Sequence, residues 1–90
     1  MAQAIVDPAE LRRFAQNLKQ FNNELQNQMA MLHGQLAGLC ATWRDQEQLK
    51  FTEEFEQTMM VIQRFVVAAD LHIPFLLRKA DRVEEYLQQR

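Results

Sequence analysis

From Phe55 onward the apolar residues Met59, Ile62, Val66, Ala69, Ile73, Leu76, Ala80, Val83 and Leu87 recur in alternating steps of four and three. This is a heptad seam, and it predicts one long helix lying along another helix. A strand cannot use the pattern, because its side chains change sides at every residue. Phe51, Met60, Phe65, Val67, Leu71 and Phe75 lie off the seam, so the middle of the helix is apolar nearly all round. A single partner helix cannot cover such a surface. Pro74 removes one ladder hydrogen bond and should kink the helix a turn earlier. Beyond Arg78 the pattern turns charged, with Arg82 spaced to meet Glu85 and Glu84 to meet Gln88.

An earlier helix begins at Asp7-Pro8-Ala9-Glu10. Asp7 suits the N-cap, Pro8 the first helical position and Glu10 the return arm of a capping box, with Val6 and Leu11 spaced as a hydrophobic staple. Its apolar face reads Leu11, Phe14, Leu18, Phe21 and Leu25, then slips to Met29, Leu32, Leu36 and Leu39, as a stutter does. Ala30, Gly34, Gly38 and Ala41 form a ridge of small residues expected to let another helix approach closely. The second helix should start near Asp45, with Asp45 or Thr42 as N-cap and Gln48 as box partner of Asp45. The expectation is an all-α antiparallel hairpin forming one domain over residues 1–90: helix 8–41, turn 42–45, helix 45–88. At about 1.5 Å per residue the helices span roughly 50 and 65 Å, so the second overhangs the first.

Two paired helices cannot hide the apolar content, which is 48% of a chain of 90 residues. A chain this short buries only about 60–65% of its unfolded surface. Association into a four-helix bundle follows, with Met60, Val67, Leu71 and Phe75 as the expected dimer interface. The net charge of −2, with both signs interspersed, marks neither a nucleic-acid surface nor a membrane-surface patch. Met59 to Leu77 approaches the hydropathy of a membrane span. Gln63, Arg64, Asp70 and His72 interrupt it on several faces, and the expectation is a helix buried in protein. The start, Met1 to Pro8, has no basic segment followed by an apolar one, so no cleavable signal peptide is expected.

Catalytic constellations are not in view. His33 and His72 stand apart from any repeated metal-ligand spacing, and the Glu-x-x-His pairs of di-iron bundles are missing. Glu53, Glu54 and Glu56 read as a solvated face around Phe55. Cys40, the single cysteine, excludes an internal disulfide and reads as a small buried hydrophobe. No Gly-rich loop, Ser/His/Asp set or Cys-x-x-Cys is present. The expectation is a protein with no catalytic residues, no metal and no cofactor.

Trp43 stands in the polar break Thr42-Trp43-Arg44-Asp45 between the helices. A tryptophan there must pack back onto the chain or meet another protein, and its N–H needs a partner. The run from Trp43 to Phe51 resembles the turn of the Trp-x-Gly (WXG-100, ESAT-6-like) family of bacterial helical hairpins, which carry an aromatic eight residues after the Trp. Asp45 stands where that family has Gly, and Asp can also serve the turn as an N-cap. Family members often end in Tyr-x-x-x-Asp/Glu, a secretion signal. Here Tyr86 takes the signal-like position, and Arg90 stands where the acid would be.

The resemblance implies a non-enzymatic protein of a type VII (ESX-like) secretion system, acting as secreted effector, partner or chaperone. Trp43, Arg44, Asp45 and Phe51 would form its docking turn. Its implied partners are itself, as a homodimer, or a related hairpin, as a heterodimer, with a secretion ATPase beyond them; no nucleic acid and no membrane span are implied. Its implied location is the cytoplasm, with secretion that uses no cleavable signal peptide. The alternative is an intracellular helical-hairpin adaptor or chaperone of another secretion system, gripping a partner helix.

Overall fold

The computed structural model describes residues 6–89. The leader-free start read at Met1 to Ile5, and Arg90 at the family's acidic position, lie outside the described residues. Two antiparallel helices, α1 (Pro8–Cys40) and α2 (Glu47–Gln88), form a rod with Cα extents of 69 × 18 × 14 Å. The α1 start follows its sequence signals. Asp7 is the N-cap, its Oδ1 accepts a hydrogen bond from the Ala9 N–H at 2.9 Å, and Pro8 opens the helix. α2 runs through Pro74 without interruption. Proline has no N–H to return to the Asp70 carbonyl, so one ladder bond is missing there.

On α2 the seam is the expected one. Val66, Ala69, Ala80 and Val83 are buried and Phe55, Met59, Ile62, Ile73 and Leu76 are half-buried; only Leu87, at the open end, is exposed. On α1 the seam differs from expectation. The inward residues are Leu11, Ala15, Leu18, Asn22, Leu25 and Met29, followed by Leu36 and Cys40. Steps of four and three therefore continue through Leu25, and there is no slip. Phe14 and Phe21, expected inside, are 58% and 51% exposed, and Leu32 and Leu39 are exposed as well. Small residues explain the exchange. Ala15 and Ala80 are fully buried, and interaxial distance follows the size of the side chains at the contact. A Phe at position 15 or 22 would hold the helices apart where these small seam residues let them meet.

Asn22 is the one buried polar side chain among the described residues; its Nδ2 donates to Asp70 Oδ1 at 2.9 Å, and its Oδ1 has no partner. A polar seam residue of this kind specifies register at a cost in stability. The cross-hairpin pairs Arg12–Glu84, Asn22–Asp70, His33–Glu56 and Cys40–Thr52 set the levels of the two helices. Cys40, the last residue of α1, is level with Thr52. The first turn of α2 therefore stands beyond the end of α1.

Two further expectations are corrected. Gly34 and Gly38 face open space, with nothing within 4 Å of a Cβ built on either, and Ala30 and Ala41 are exposed. The small-residue ridge thus packs on no helix of this chain. The apolar stretch of α2 is also not buried. Its 18-residue window has mean hydropathy 1.5, long and apolar enough to cross a membrane by composition, yet only 11% of it is buried. Among the described residues, the apolar side chains larger than Ala that are buried are Leu36, Val66 and Val83.

Candidate protein-interaction surface

Asp45 organises the turn. Its Oδ1 accepts from the Trp43 indole N–H at 2.8 Å and from the Glu47 backbone N–H at 3.0 Å. One carboxylate oxygen thus satisfies the indole and one of the orphan donors that open α2. Gln46 occupies the boundary position of α2 and makes no side-chain cap bond, so Asp45 does the capping from one residue earlier. The expected reciprocal box is not formed. Gln48 turns its Nε2 away to Thr52 Oγ1 at 3.0 Å and Cys40 Sγ at 2.8 Å. Cys40 is accordingly half-buried in a polar cluster, not an inert core hydrophobe. Thr42 serves the other helix, its hydroxyl donating to the Leu39 carbonyl at 3.3 Å. Arg44 donates to the Ala41 carbonyl at 3.3 Å.

Trp43 is half-buried and lies against Phe51, with ring centroids 5.6 Å apart; Phe51 in turn stacks on Phe55 at 5.9 Å. The aromatic eight residues after the Trp is therefore its packing partner. No described residue has positive φ. The turn needs no glycine, and a side chain at position 45 is free to take the indole proton.

Taking the seam as heptad positions a and d, the two flanks of the hairpin differ in chemistry. One flank carries the e positions. There Arg12 reaches Asp81 and Glu84, both at 2.7 Å, and His33 reaches Glu56 at 2.9 Å. The two carboxylates raise the Arg12 pKa above its ordinary value by accepting its hydrogen bonds. Glu84 thus pairs across the hairpin, not with Gln88 as its spacing suggested. The other flank carries the g positions and is aromatic. Phe21 and Phe65 meet edge to face at 6.4 Å, with Phe14, Phe51 and Tyr86 at the same heptad position. A groove of about 190 Å³ opens on this flank near the turn, lined by Leu32, Leu36, Leu39, Phe51 and Phe55 with Gln35.

Met60, Val67, Leu71 and Phe75, the residues expected to line a dimer interface, are all exposed. They do not share one face. Met60 and Val67 take b positions toward the ion-paired flank, Phe75 a c position toward the aromatic flank, and Leu71 the outermost f position, where it is 70% exposed. Sequence reasoning missed Phe14, Phe21 and Phe65 as members of one flank. The signal was available in the charges: facing Arg12 toward Glu84 and His33 toward Glu56 fixes the e flank and leaves the aromatic one opposite. Among the described residues, no group of three or more His, Cys, Asp or Glu side chains could hold a metal ion.

The sequence profile described as proteins of 100 residues with WXG matches residues 3–86. The chain belongs to the WXG100 family. Solved structures similar to this WXG100 chain include the secreted protein EsxB of Bacillus anthracis, 31% identical over 96% of this chain and 98% of that one, with a TM-score of 0.79. The wild-type EsxB crystal form is 32% identical over 93% and 97% of the two chains, again at 0.79. An EsxB variant in which one proline is replaced by alanine reaches a TM-score of 0.83 at 32% identity, over 94% of this chain and 96% of that one. A comparison with curated proteins finds no match. Within this WXG100 hairpin, the departure from glycine at position 45 is met by the hydrogen bond from Trp43 to Asp45.

Proposed function

We propose that this WXG100 protein is a non-enzymatic component of a type VII-like secretion system, exported by that system and working through protein–protein contacts as an antiparallel dimer of hairpins. The observation that carries the reading is the aromatic flank. Phe14, Phe21, Phe51, Phe65 and Phe75 are each roughly half exposed. A phenylalanine presents on the order of 200 Å², so these five leave about 500 Å² of apolar surface per chain. A stable interface uses about 800 Å² per partner, and burying 500 Å² contributes about 12 kcal/mol before the cost of association. Soluble monomers seldom leave such a strip open. The likeness to EsxB, a secreted protein, supports export.

The Trp43 turn supplies a second contact. Its indole N–H is already satisfied by Asp45, so a binding component would meet the half-buried ring face, the Arg44 guanidinium and the edge of Phe51. Tyr86 stands exposed at the opposite end of the rod. The test is expression in a host carrying the secretion system, with the protein followed in culture supernatant alongside a cytoplasmic marker. Export should disappear when the system's ATPase is inactivated. Protein that remains in the cells while other substrates are exported would overturn the reading in favour of an intracellular adaptor.

A further inference from the structure

We propose that a helix of a partner protein lies along the ion-paired flank, with an apolar side chain in a cleft between Lys19 and Asp70, an arginine on Asp70 and an acid on Lys19. The cleft has a volume of about 440 Å³ and is walled by Ala15, Ile73, Pro74 and Leu77, with Lys19 and Asp70 also lining it. It lies at e positions, on the side of the hairpin away from Phe14, Phe21 and Phe65. A second copy on the aromatic flank leaves it open, so the proposal goes beyond the dimer reading without needing it.

The cleft interrupts a ladder of charges. The e row of α1 carries Arg12, Lys19 and His33, and that of α2 carries Glu56, Asp70 and Glu84. Arg12 closes onto Glu84 and His33 onto Glu56. Two heptads along both helices from His33 and Glu56, Lys19 and Asp70 stand in the same relation, yet among the described residues neither makes an ion pair. Asp70 is held elsewhere, since its Oδ1 accepts from the buried Asn22 amide at 2.9 Å. Its backbone carbonyl also lacks a helical donor, because Pro74 has no N–H to return. A half-buried carboxylate and a freed carbonyl on one residue ask for several donors at once. A guanidinium carries five in a rigid fork, whereas an ammonium is a point charge. Lys19, exposed on the facing helix, takes an acid.

The length of the apolar surface calls for a helix, not a small molecule. Met60, Val67 and Pro74 follow one another at seven-residue spacing on this side of α2, all exposed, and Leu77 continues the row past the cleft. At 1.5 Å per residue the row runs about 25 Å. A heptad-spaced row with an acid on one side and a base on the other matches the seam and the e and g positions of an added helix. Charge then selects the partner, and the apolar row holds it.

The probe is a synthetic three-heptad helix with leucine at a and d and with arginine and glutamate flanking its central leucines. A second peptide has glutamine at both charged positions. Each is titrated into the full-length protein and followed by methyl resonances. The charged peptide should bind saturably and shift Val67, Ile73 and Leu77, leaving Leu32 and Leu39 on the aromatic flank unmoved. Asp70→Asn, which keeps an acceptor for Asn22, should weaken the charged peptide about fivefold or more and the glutamine peptide by less than about twofold. Gln16→Trp, which fills the cleft from an exposed position, should weaken both roughly tenfold and sediment as wild type does. No saturation by millimolar peptide, or shifts at Leu32 and Leu39 in place of Ile73 and Leu77, would overturn the proposal. So would an Asp70→Asn effect equal for both peptides. A Gln16→Trp variant that loses its association would assign the flank to a second copy and end the proposal as well. Stability coupling between Lys19→Gln and Asp70→Asn in the free protein, with peptide binding unmoved, would show the two closing on each other and end it likewise. A monomeric protein that still binds the charged peptide in the cleft upholds the proposal and removes the dimer reading alone.

Discussion

Placing the family's own residue at the turn should harm this protein. Asp45→Gly restores Trp-x-Gly, but it deletes the oxygen that accepts from both the Trp43 indole and the Glu47 N–H. Loss of a cap of this kind costs about 1 kcal/mol. Loss of the second hydrogen bond, from the indole to an exposed carboxylate oxygen, costs about 1 kcal/mol more. Glycine at a position with no positive φ gains nothing and adds unfolded-state freedom, a further few tenths to 1 kcal/mol. The expected total is about 2–3 kcal/mol for Asp45→Gly, about 2 for Asp45→Ala, and under about 1 for Asp45→Asn, which keeps the acceptor. Trp43→Phe separates the two bonds, since it removes the indole donor and leaves the cap. In a double-mutant cycle with Asp45→Ala, the coupling should be about 1 kcal/mol. The assay is urea unfolding followed by circular dichroism, with every variant at one protomer concentration because association enters the equilibrium. An Asp45→Gly protein as stable as wild type would refute the shared-acceptor account and return the turn to a glycine-tolerant loop.

Phe65→Asp should yield a monomer by sedimentation, while Leu71→Asp, at the most outward position of α2, should leave both fold and association near wild type. Ala80→Leu should destabilise by about 1–3 kcal/mol through overpacking of a fully buried site, measured as a lowered urea midpoint. Pro74→Ala should stabilise α2 by about 1 kcal/mol or more, because the Asp70 carbonyl regains a helical donor, and should raise the melting temperature. Arg12→Ala should leave the urea midpoint close to that of wild type, and any difference should shrink at high salt, since the pairs it makes are solvent-screened.

The second helix was legible because its seam residues are apolar at nearly every heptad position, and Val66, Ala69, Ala80 and Val83 lie inside where the spacing puts them. The first helix was misread for a physical reason. The largest apolar residues, Phe14 and Phe21, attract the seam, but a closely spaced hairpin has no room for them and takes Ala15 and Asn22 instead. Bulky residues displaced to an edge are what an association surface requires. Met60, Val67, Leu71 and Phe75, expected as the dimer interface, are exposed on α2 and point in several directions, because being off the seam does not by itself place residues on one face. At the turn, Trp43, Asp45 and Phe51 were found by type and spacing. The hydrogen bond from Trp43 to Asp45 was not, because it depends on two side chains sharing an oxygen with a helix cap. Cys40 was read as a small buried hydrophobe because nothing in its own neighbourhood shows Gln48 reaching back across the turn.

The level pairs along the rod also imply an order of assembly. The sequence separation they close is 72 residues at Arg12–Glu84, 48 at Asn22–Asp70, 23 at His33–Glu56 and 12 at Cys40–Thr52. Loop-closure entropy rises with that separation, so the cheapest contacts to form lie beside the turn, and each one shortens the loop left for the next. The hairpin should close from the turn toward its open end. Substitutions at Asp45 and Trp43 should then act mainly on the folding rate, whereas those at Arg12 or Ala15 should act mainly on the unfolding rate. A single turn oxygen would thus govern how fast the chain becomes a hairpin, and the far end how long it remains one.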